Sequence, residues 1–163
     1  MKIQDNIVEM LSNQFKEELY ASYLYFSMSI WANAQKLPGF AQWMDKQAKE
    51  ELEHAERLHK YITERGGNTI LTAIDAPPTD FGTALDCMKA ALEHEELVTE
   101  NFHRMYETAR EAGDMMTVSA LQWFIDEQVE EEASCTYWVD RLELCDGNKS
   151  ALLFVDSEMA KAD

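Results

Sequence analysis

The sequence predicts an all-α fold: two long antiparallel helical hairpins joined by a long crossover and packed as a four-helix bundle, with a short fifth helix. Three observations carry this. Six glycines and three prolines in 163 residues are too few for the many tight turns of a β-sandwich or barrel. Four long stretches between the breaks place apolar residues at alternating steps of three and four, the period of a helix with one buried stripe. Residues 68–82, with Asn68, Pro77, Pro78 and Gly82 and no clear period, form the one long connection. At this length the whole chain, 1–163, reads as a single domain.

The first helix is expected from about Asp5, as its N-cap, to about Lys36, where Leu37-Pro38-Gly39 stops it. The second spans about 39–65 and ends at Gly66-Gly67, a C-terminal signal. Thr83, with Asp86 three residues on, suits a capping box opening a third helix over about 83–112. Gly113 ends it, and a fourth follows over about 114–145, before Asp146-Gly147. A fifth covers about 150–161. The short breaks make the first pair and the second pair hairpins, and the crossover links them.

Thirty-one acidic residues against fourteen basic ones give a net charge of −17. That excludes a nucleic-acid partner, which needs a basic stripe, and an anionic membrane surface, and it favours a protein that handles cations. The amino-terminal MKIQDNIVEML has no signal-peptide core, and Leu19 to Ala34 is too short and polar to span a membrane, so the expected location is cytoplasmic. Cys87, Cys135 and Cys145 are odd in number and lack a C-x-x-C, which speaks against disulfides and thiolate metal knuckles. Cys135 reads as a small buried hydrophobe.

The chemistry lies where the seams break. The first reads Val8, Leu11, Phe15, Glu18, Ser22, Tyr25, Ser29; the second Met44, Ala48, Glu51, Ala55, Leu58, Ile62. The third reads Leu85, Met88, Leu92, Glu95, Thr99, Phe102, Tyr106; the fourth Leu121, Phe124, Gln128, Glu131, Cys135, Trp138, Leu142. Each is interrupted near its middle by a carboxylate, and His54 stands one turn beyond Glu51. Four unpaired carboxylates in a dry core are very costly, and no Lys or Arg occupies these seams. A multivalent cation compensates. Oxygen ligands with one imidazole suit iron or manganese, with zinc left open. Glu51 follows Glu18 by 33 residues and Gln128 follows Glu95 by 33, and a shift of 77 carries Glu18 onto Glu95 and His54 onto Glu131. The two hairpins are therefore expected to face one centre across a pseudo-two-fold. Tyr25, one heptad after Glu18, lies on the same face, either as a core tyrosine or in a redox or hydrogen-bonding role. His59, His94 and His103 lack such support and read as structural or exposed, as does Glu132.

Glu18-Leu19-Tyr20 with Tyr25, Glu50-Glu51-Leu52-Glu53-His54, His94-Glu95, and Gln122-Trp123-Phe124 followed by Glu127-Gln128-Val129-Glu130-Glu131 resemble the bacterial non-haem ferritins over essentially the whole chain. The general di-iron carboxylate bundle carries two Glu-x-x-His motifs; here Glu51-x-x-His54 is complete, and its counterpart is Gln128-x-x-Glu131. Bacterioferritins keep both motifs and carry a haem-ligating Met where this chain has Leu52, so no haem is expected. Animal ferritins line a three-fold channel with acids at positions that fall here on Val118 and Leu121, which leaves the way in for iron open.

The resemblance implies a ferritin-like bundle and a homo-oligomeric shell of twenty-four subunits that oxidises Fe(II) with O₂ or H₂O₂ and stores ferric mineral. It implies a first iron at Glu18, Glu51 and His54. A second takes Glu95, the bridging Glu51 and Glu131, with Gln128 holding a water or oxidant. A weaker third iron is expected at Glu50, Glu127 and Glu130, linked to the second by Glu131. Removing Glu18 or His54 is expected to relieve buried charge and leave the fold intact or more stable. Tyr20, Tyr23, Leu24, Phe26, Ile30 and Trp31 make the first helix apolar outside its seam, which is the expected assembly patch.

Overall fold

A computed structural model describes residues 2–162; the end residues of the expected 1–163 span lie outside the described residues. It contains α1 (Asp5–Ala34), α2 (Pro38–Glu64), α3 (Ala84–Glu111), α4 (Met115–Glu143) and α5 (Lys149–Met159). No strand occurs among the described residues. α1 packs chiefly on α2 and α3 on α4; α1 also meets α3, and α5 rests on α2 with a lighter contact to α4.

The helix ends follow local chemistry, with two departures. Gln4 is the N-cap of α1 and its side chain makes no capping bond, so Asp5 is the first helical residue rather than the cap. The same helix stops at Ala34, before the Leu-Pro-Gly break, because Lys36 takes a left-handed φ of 64° and Leu37 N–H reaches back to the Ala32 carbonyl. Pro38 opens α2, a position where its missing N–H costs nothing. The capping box of α3 is formed, with Thr83 Oγ1 accepting from Asp86 N–H and the Asp86 carboxylate accepting from Thr83 N–H. Asp114 caps α4 by accepting from Thr117 N–H, and Asn148 caps α5.

The crossover runs beside α1. Ile70 N–H donates to Ser12 Oγ, and Ser27 Oγ donates to the Pro78 carbonyl. Those two serines are about 22 Å apart along the helix, so the intervening loop must be nearly extended to span them. It thus delivers the chain to the far end of the bundle, where α3 begins and runs antiparallel to α1.

Two apolar clusters fill the bundle. One gathers Met28, Trp31, Phe40, Met44, Met88 and Trp138; the other gathers Ile7, Leu11, Leu58, Ile62, Phe102 and Phe124. Between them lies a buried polar layer of Glu18, Glu51, His54, Glu95, Gln128 and Glu131. The seams of α2 and α4 are buried throughout, whereas Phe15, Leu85, Leu92, Thr99 and Tyr106 are only half-buried. α1 is covered from two sides, by α2 and by α3 with the crossover, so its buried stripe is wider than one seam and takes in Ser12, Gln14 and Met28. That second contact also changes the expected assembly patch: Leu24 and Trp31 are buried within the chain, while Tyr23, Phe26 and Ile30 stay exposed.

Candidate metal centre

Helical spacing builds the first half of the site. Glu51 and His54, three residues apart on α2, face the same way, and Glu18 comes across from α1. Each of the three offers a ligand atom, and these atoms lie within 4.8 Å of one another. His54 Nδ1 is 3.5 Å from Glu51 Oε2 and 3.8 Å from Glu18 Oε2. Glu18 is 0% exposed, and two oxygens here, Glu18 Oε2 and Glu51 Oε1, are buried with no hydrogen-bond partner. Among the described residues no Lys or Arg pairs with Glu18, Glu51, Glu95 or Glu131. Unpartnered buried carboxylate oxygens gathered around an imidazole fit a hard cation.

α3 and α4 supply the second half. Tyr25 Oη donates to Glu95 Oε1 at 2.5 Å, and Gln128 Nε2 donates to Glu95 Oε2 at 3.1 Å. Gln128 thus spends its amide on Glu95 and not on the space between the carboxylates, so the water or oxidant expected on it would have to use its carbonyl oxygen. Glu131 Oε2 accepts from Gln47 Nε2 at 2.8 Å, and Glu18 Oε1 accepts from Gln14 Nε2 at 2.7 Å. Gln14 and Gln47 are functional neighbours that the seam reading missed. Both lie four residues before a seam carboxylate, and 33 residues separate them, the same offset as Glu18 to Glu51; that repeat is the signal that could have found them.

Burial sets the electrostatics. It pushes Glu51 well above the usual carboxyl range, with the Glu95 charge adding to the effect. Burial also raises Glu95, and it pushes Glu131 up to about 8 with Glu95 and Glu50 nearby. Glu18 goes the other way: burial opposes its charge, but the neighbouring His54 imidazole, with Glu51 and Gln14 beside it, holds it below the usual range. Burial would lower His54, yet the adjacent Glu18 and Glu51 carboxyl groups outweigh that and push it up to about 11. Protons on Glu51 and His54 therefore stand where a cation would compensate the same charge.

Beside this centre, a pocket of 210 Å³ is lined by Glu50, Glu53, His54, Arg57, Trp123, Glu127 and Glu131. It brings Glu50, Glu127 and Glu131 together; Glu130 is exposed and does not line it. Arg57, stacked 3.8 Å over the Trp123 ring, puts a cation at the pocket that the sequence did not suggest. Val118 and Leu121 are both buried in the core and offer no surface to an iron route. His59 and His103 are exposed, and His94 is half-buried beside Tyr20.

A family model for the ferritin-like domain matches residues 8–145. The chain is similar to the bacterial non-heme ferritin of Staphylococcus aureus (strain MRSA252), at 34% identity over 157 residues that cover 96% of this chain and 95% of that protein. It is similar to the bacterial non-heme ferritin of Staphylococcus saprophyticus at 34% identity over 158 residues, 97% of this chain and 95% of that one. Among solved structures, an open pore ferritin from the hyperthermophilic archaeon Archaeoglobus fulgidus aligns with TM-score 0.98 and 39% identity, over 99% of this chain and 100% of that chain. A closed form of the Archaeoglobus fulgidus ferritin, engineered by site-directed mutagenesis, aligns with TM-score 0.98 and 38% identity over 99% of each chain.

Proposed function

The chain belongs to the ferritin family, and from that premise we propose that it stores iron by oxidising Fe(II) with dioxygen, or hydrogen peroxide, and holding the ferric product as a mineral. Glu18, Glu51 and His54 take the first iron. Glu95, the shared Glu51 and Glu131 take the second. Iron is here the substrate, so its ligands must bind it and also release it; carboxylates, hard and exchangeable, favour Fe(III) without locking it in place. The observation that carries the reading is the pair of buried oxygens without a hydrogen bond, Glu18 Oε2 and Glu51 Oε1, grouped with His54.

What this chain's residues contribute is separable. Gln14 and Gln47 orient Glu18 and Glu131 by hydrogen bonds; Tyr25 and Gln128 fix both oxygens of Glu95. The apolar clusters above and below keep water from the layer, which strengthens every charge interaction inside it. A third, weaker iron site at Glu50, Glu127 and Glu130 is part of the proposal. The pocket joining Glu50, Glu127 and Glu131 supports its inner part, and exposed Glu130 would serve its outer rim.

A homo-oligomeric shell of twenty-four subunits completes the reading, with one domain per chain, in the cytoplasm. Exposed Tyr23, Phe26 and Ile30 on α1, with Ile70 and Leu71 on the crossover, support burial against other copies. No helix among the described residues is long and apolar enough to cross a membrane. The test is aerobic Fe(II) addition followed by size-exclusion chromatography with iron analysis. Iron eluting with the protein far beyond the pair that a fixed di-iron enzyme keeps is the expected result. Retention of only that pair overturns storage, and absence of oxidation overturns the ferroxidase assignment.

A further inference from the structure

Tyr25 and Cys135 are buried together beside the centre, each 0% exposed. A phenol has one hydrogen to donate, and Tyr25 gives it to Glu95 Oε1 at 2.5 Å. The Cys135 sulfur lies 3.9 Å from the same phenolic oxygen. With the phenol hydrogen committed, the thiol must be the donor in that second contact, at the long end of the reach of sulfur. Burial, with the Glu95 charge nearby, pushes Cys135 well above the ordinary thiol range, so a hydrogen stays on the sulfur. The outcome is a directed chain, Cys135 S–H to Tyr25 O–H to Glu95, that ends on the centre. The Trp43 ring stands edge-on to Tyr25 at 6.5 Å and helps close the chain to solvent.

We infer that Cys135 is a hydrogen-atom donor that restores Tyr25 after Tyr25 has given up an electron to the oxidant reduced at the centre. The inference rests on the ferroxidase reading. In the first step one electron leaves Tyr25 for the dioxygen being reduced with Fe(II), and the phenolic proton moves along the short hydrogen bond to Glu95. In the second the S–H bond of Cys135 breaks and an O–H bond forms on Tyr25, leaving a thiyl radical on the sulfur. In the third a newly bound Fe(II) is oxidised to Fe(III) and its electron reduces the thiyl. The proton held by Glu95 passes to Tyr25 as the proton of Tyr25 passes to the sulfur, which regenerates the thiol. Full burial keeps the thiyl away from solvent thiols and from the oxidation ladder open to exposed cysteines. The chain thereby lends one electron beyond those of the bound irons and recovers it from the substrate.

The test follows the tyrosyl radical in the full chain by freeze-quench electron paramagnetic resonance after aerobic Fe(II) addition. Wild type is compared with Cys135→Ala and Cys135→Ser, and Tyr25→Phe identifies the signal. Circular dichroism and the melting midpoint check that each variant folds. A second arm oxidises the iron-free protein with a flash-excited ruthenium tris-bipyridyl and persulfate, and follows the same radical optically. In both arms the Tyr25 radical is expected to last roughly tenfold longer in the two variants than in wild type. The serine variant separates the roles, because its hydroxyl can hydrogen-bond to Tyr25 but holds its hydrogen too strongly to give it up. Radical lifetimes in Cys135→Ser equal to wild type would reduce Cys135 to a hydrogen-bonding role and overturn the inference. Equal lifetimes in all three proteins, or no Tyr25 radical in either arm, would overturn it as well. If wild type fails to oxidise Fe(II) while the flash arm still gives the lifetime difference, the ferroxidase reading fails and the relay from Cys135 to Tyr25 stands.

Discussion

Glu18 and His54 belong to one site and carry the same stability sign. Relief of buried charge is the expectation for both from sequence, and their pairing reverses it: Glu18 Oε2 lies 3.8 Å from His54 Nδ1, and its carboxyl is held below the usual range. Glu18→Gln keeps the volume but removes the charge that the imidazolium pairs with, so the metal-free protein should be less stable than wild type in urea. His54 acts in the same direction, because its Nδ1 lies beside the carboxyl groups of both Glu18 and Glu51. His54→Ala strands the Glu18 carboxylate and should cost the metal-free protein about 3 kcal/mol, read from the same urea midpoints. A His54→Ala midpoint above wild type would show that the imidazole is not paired as described. For iron chemistry the two variants agree: Glu18→Ala and His54→Ala should each slow rapid Fe(II) oxidation by about tenfold or more in stopped-flow absorbance. Unchanged rates in both would remove these residues from the first iron site.

Between elements, single contacts decide how helices meet. Arg65 at the end of α2 pairs with Asp114 at the start of α4, with both guanidinium N–H to carboxylate distances at 3.1 Å, while Asp114 also caps α4. Burial opposes the charge on Asp114, but Arg65 and the Thr117 N–H hold its carboxyl below the usual range. A carboxyl depressed in the folded state stabilises above its unfolded value, and that stability is lost as pH falls through the folded value. Asp114→Ala should therefore cost about 3 kcal/mol at neutral pH, from the cap and the pair together. The gap from wild type should close as pH drops below about 4. A gap that persists undiminished at low pH would mean that charge is not its source. The α5 contact turns on Gly39 instead. A Cβ there would lie 1.8 Å from the Asp156 carbonyl oxygen, and Asp156 Oδ1 accepts from Phe40 N–H at 2.8 Å in the first turn of α2. Gly39→Ala should release α5, seen as fast hydrogen exchange over residues 149–159 with the four long helices still protected. Unchanged protection of that segment would show that α5 docks by other contacts.

At the scale of the molecule, the polar layer splits the core in two, and each apolar cluster must hold the bundle on its own side. The layer stabilises little without a cation, so its presence is a cost tied to function. The outer surface carries a second such cost. Ile30 is 71% exposed, and Tyr23 and Phe26 are exposed along the same helix. Charge on that strip should be tolerated by the single chain and not by an assembly. Ile30→Glu should lower the mass seen by light scattering at micromolar concentration while leaving helical circular dichroism unchanged. A full-size assembly from that variant would place the interface elsewhere.

The sequence alone determined the helix count, the two hairpins, the long crossover and the level at which carboxylates interrupt every seam. These are properties of period and punctuation, which act over a few residues and are written in the order of the chain. Glu51 and His54 were legible for the same reason, being one turn apart on one helix. Position across helices was decided only by the tertiary structure. Gln47 of α2 reaches Glu131 of α4, Gln128 turns to Glu95, and Cys135 meets Tyr25, in each case from elements that no local pattern aligns in height or rotation. The width of the buried stripe on α1 likewise depends on α3 and the crossover lying against it, which buries Leu24 and Trp31 and leaves Ile30 in solvent. Helical periodicity sets which way a side chain faces on its own helix; what it meets there is set by how the other helices slide and turn to fill the core at close packing.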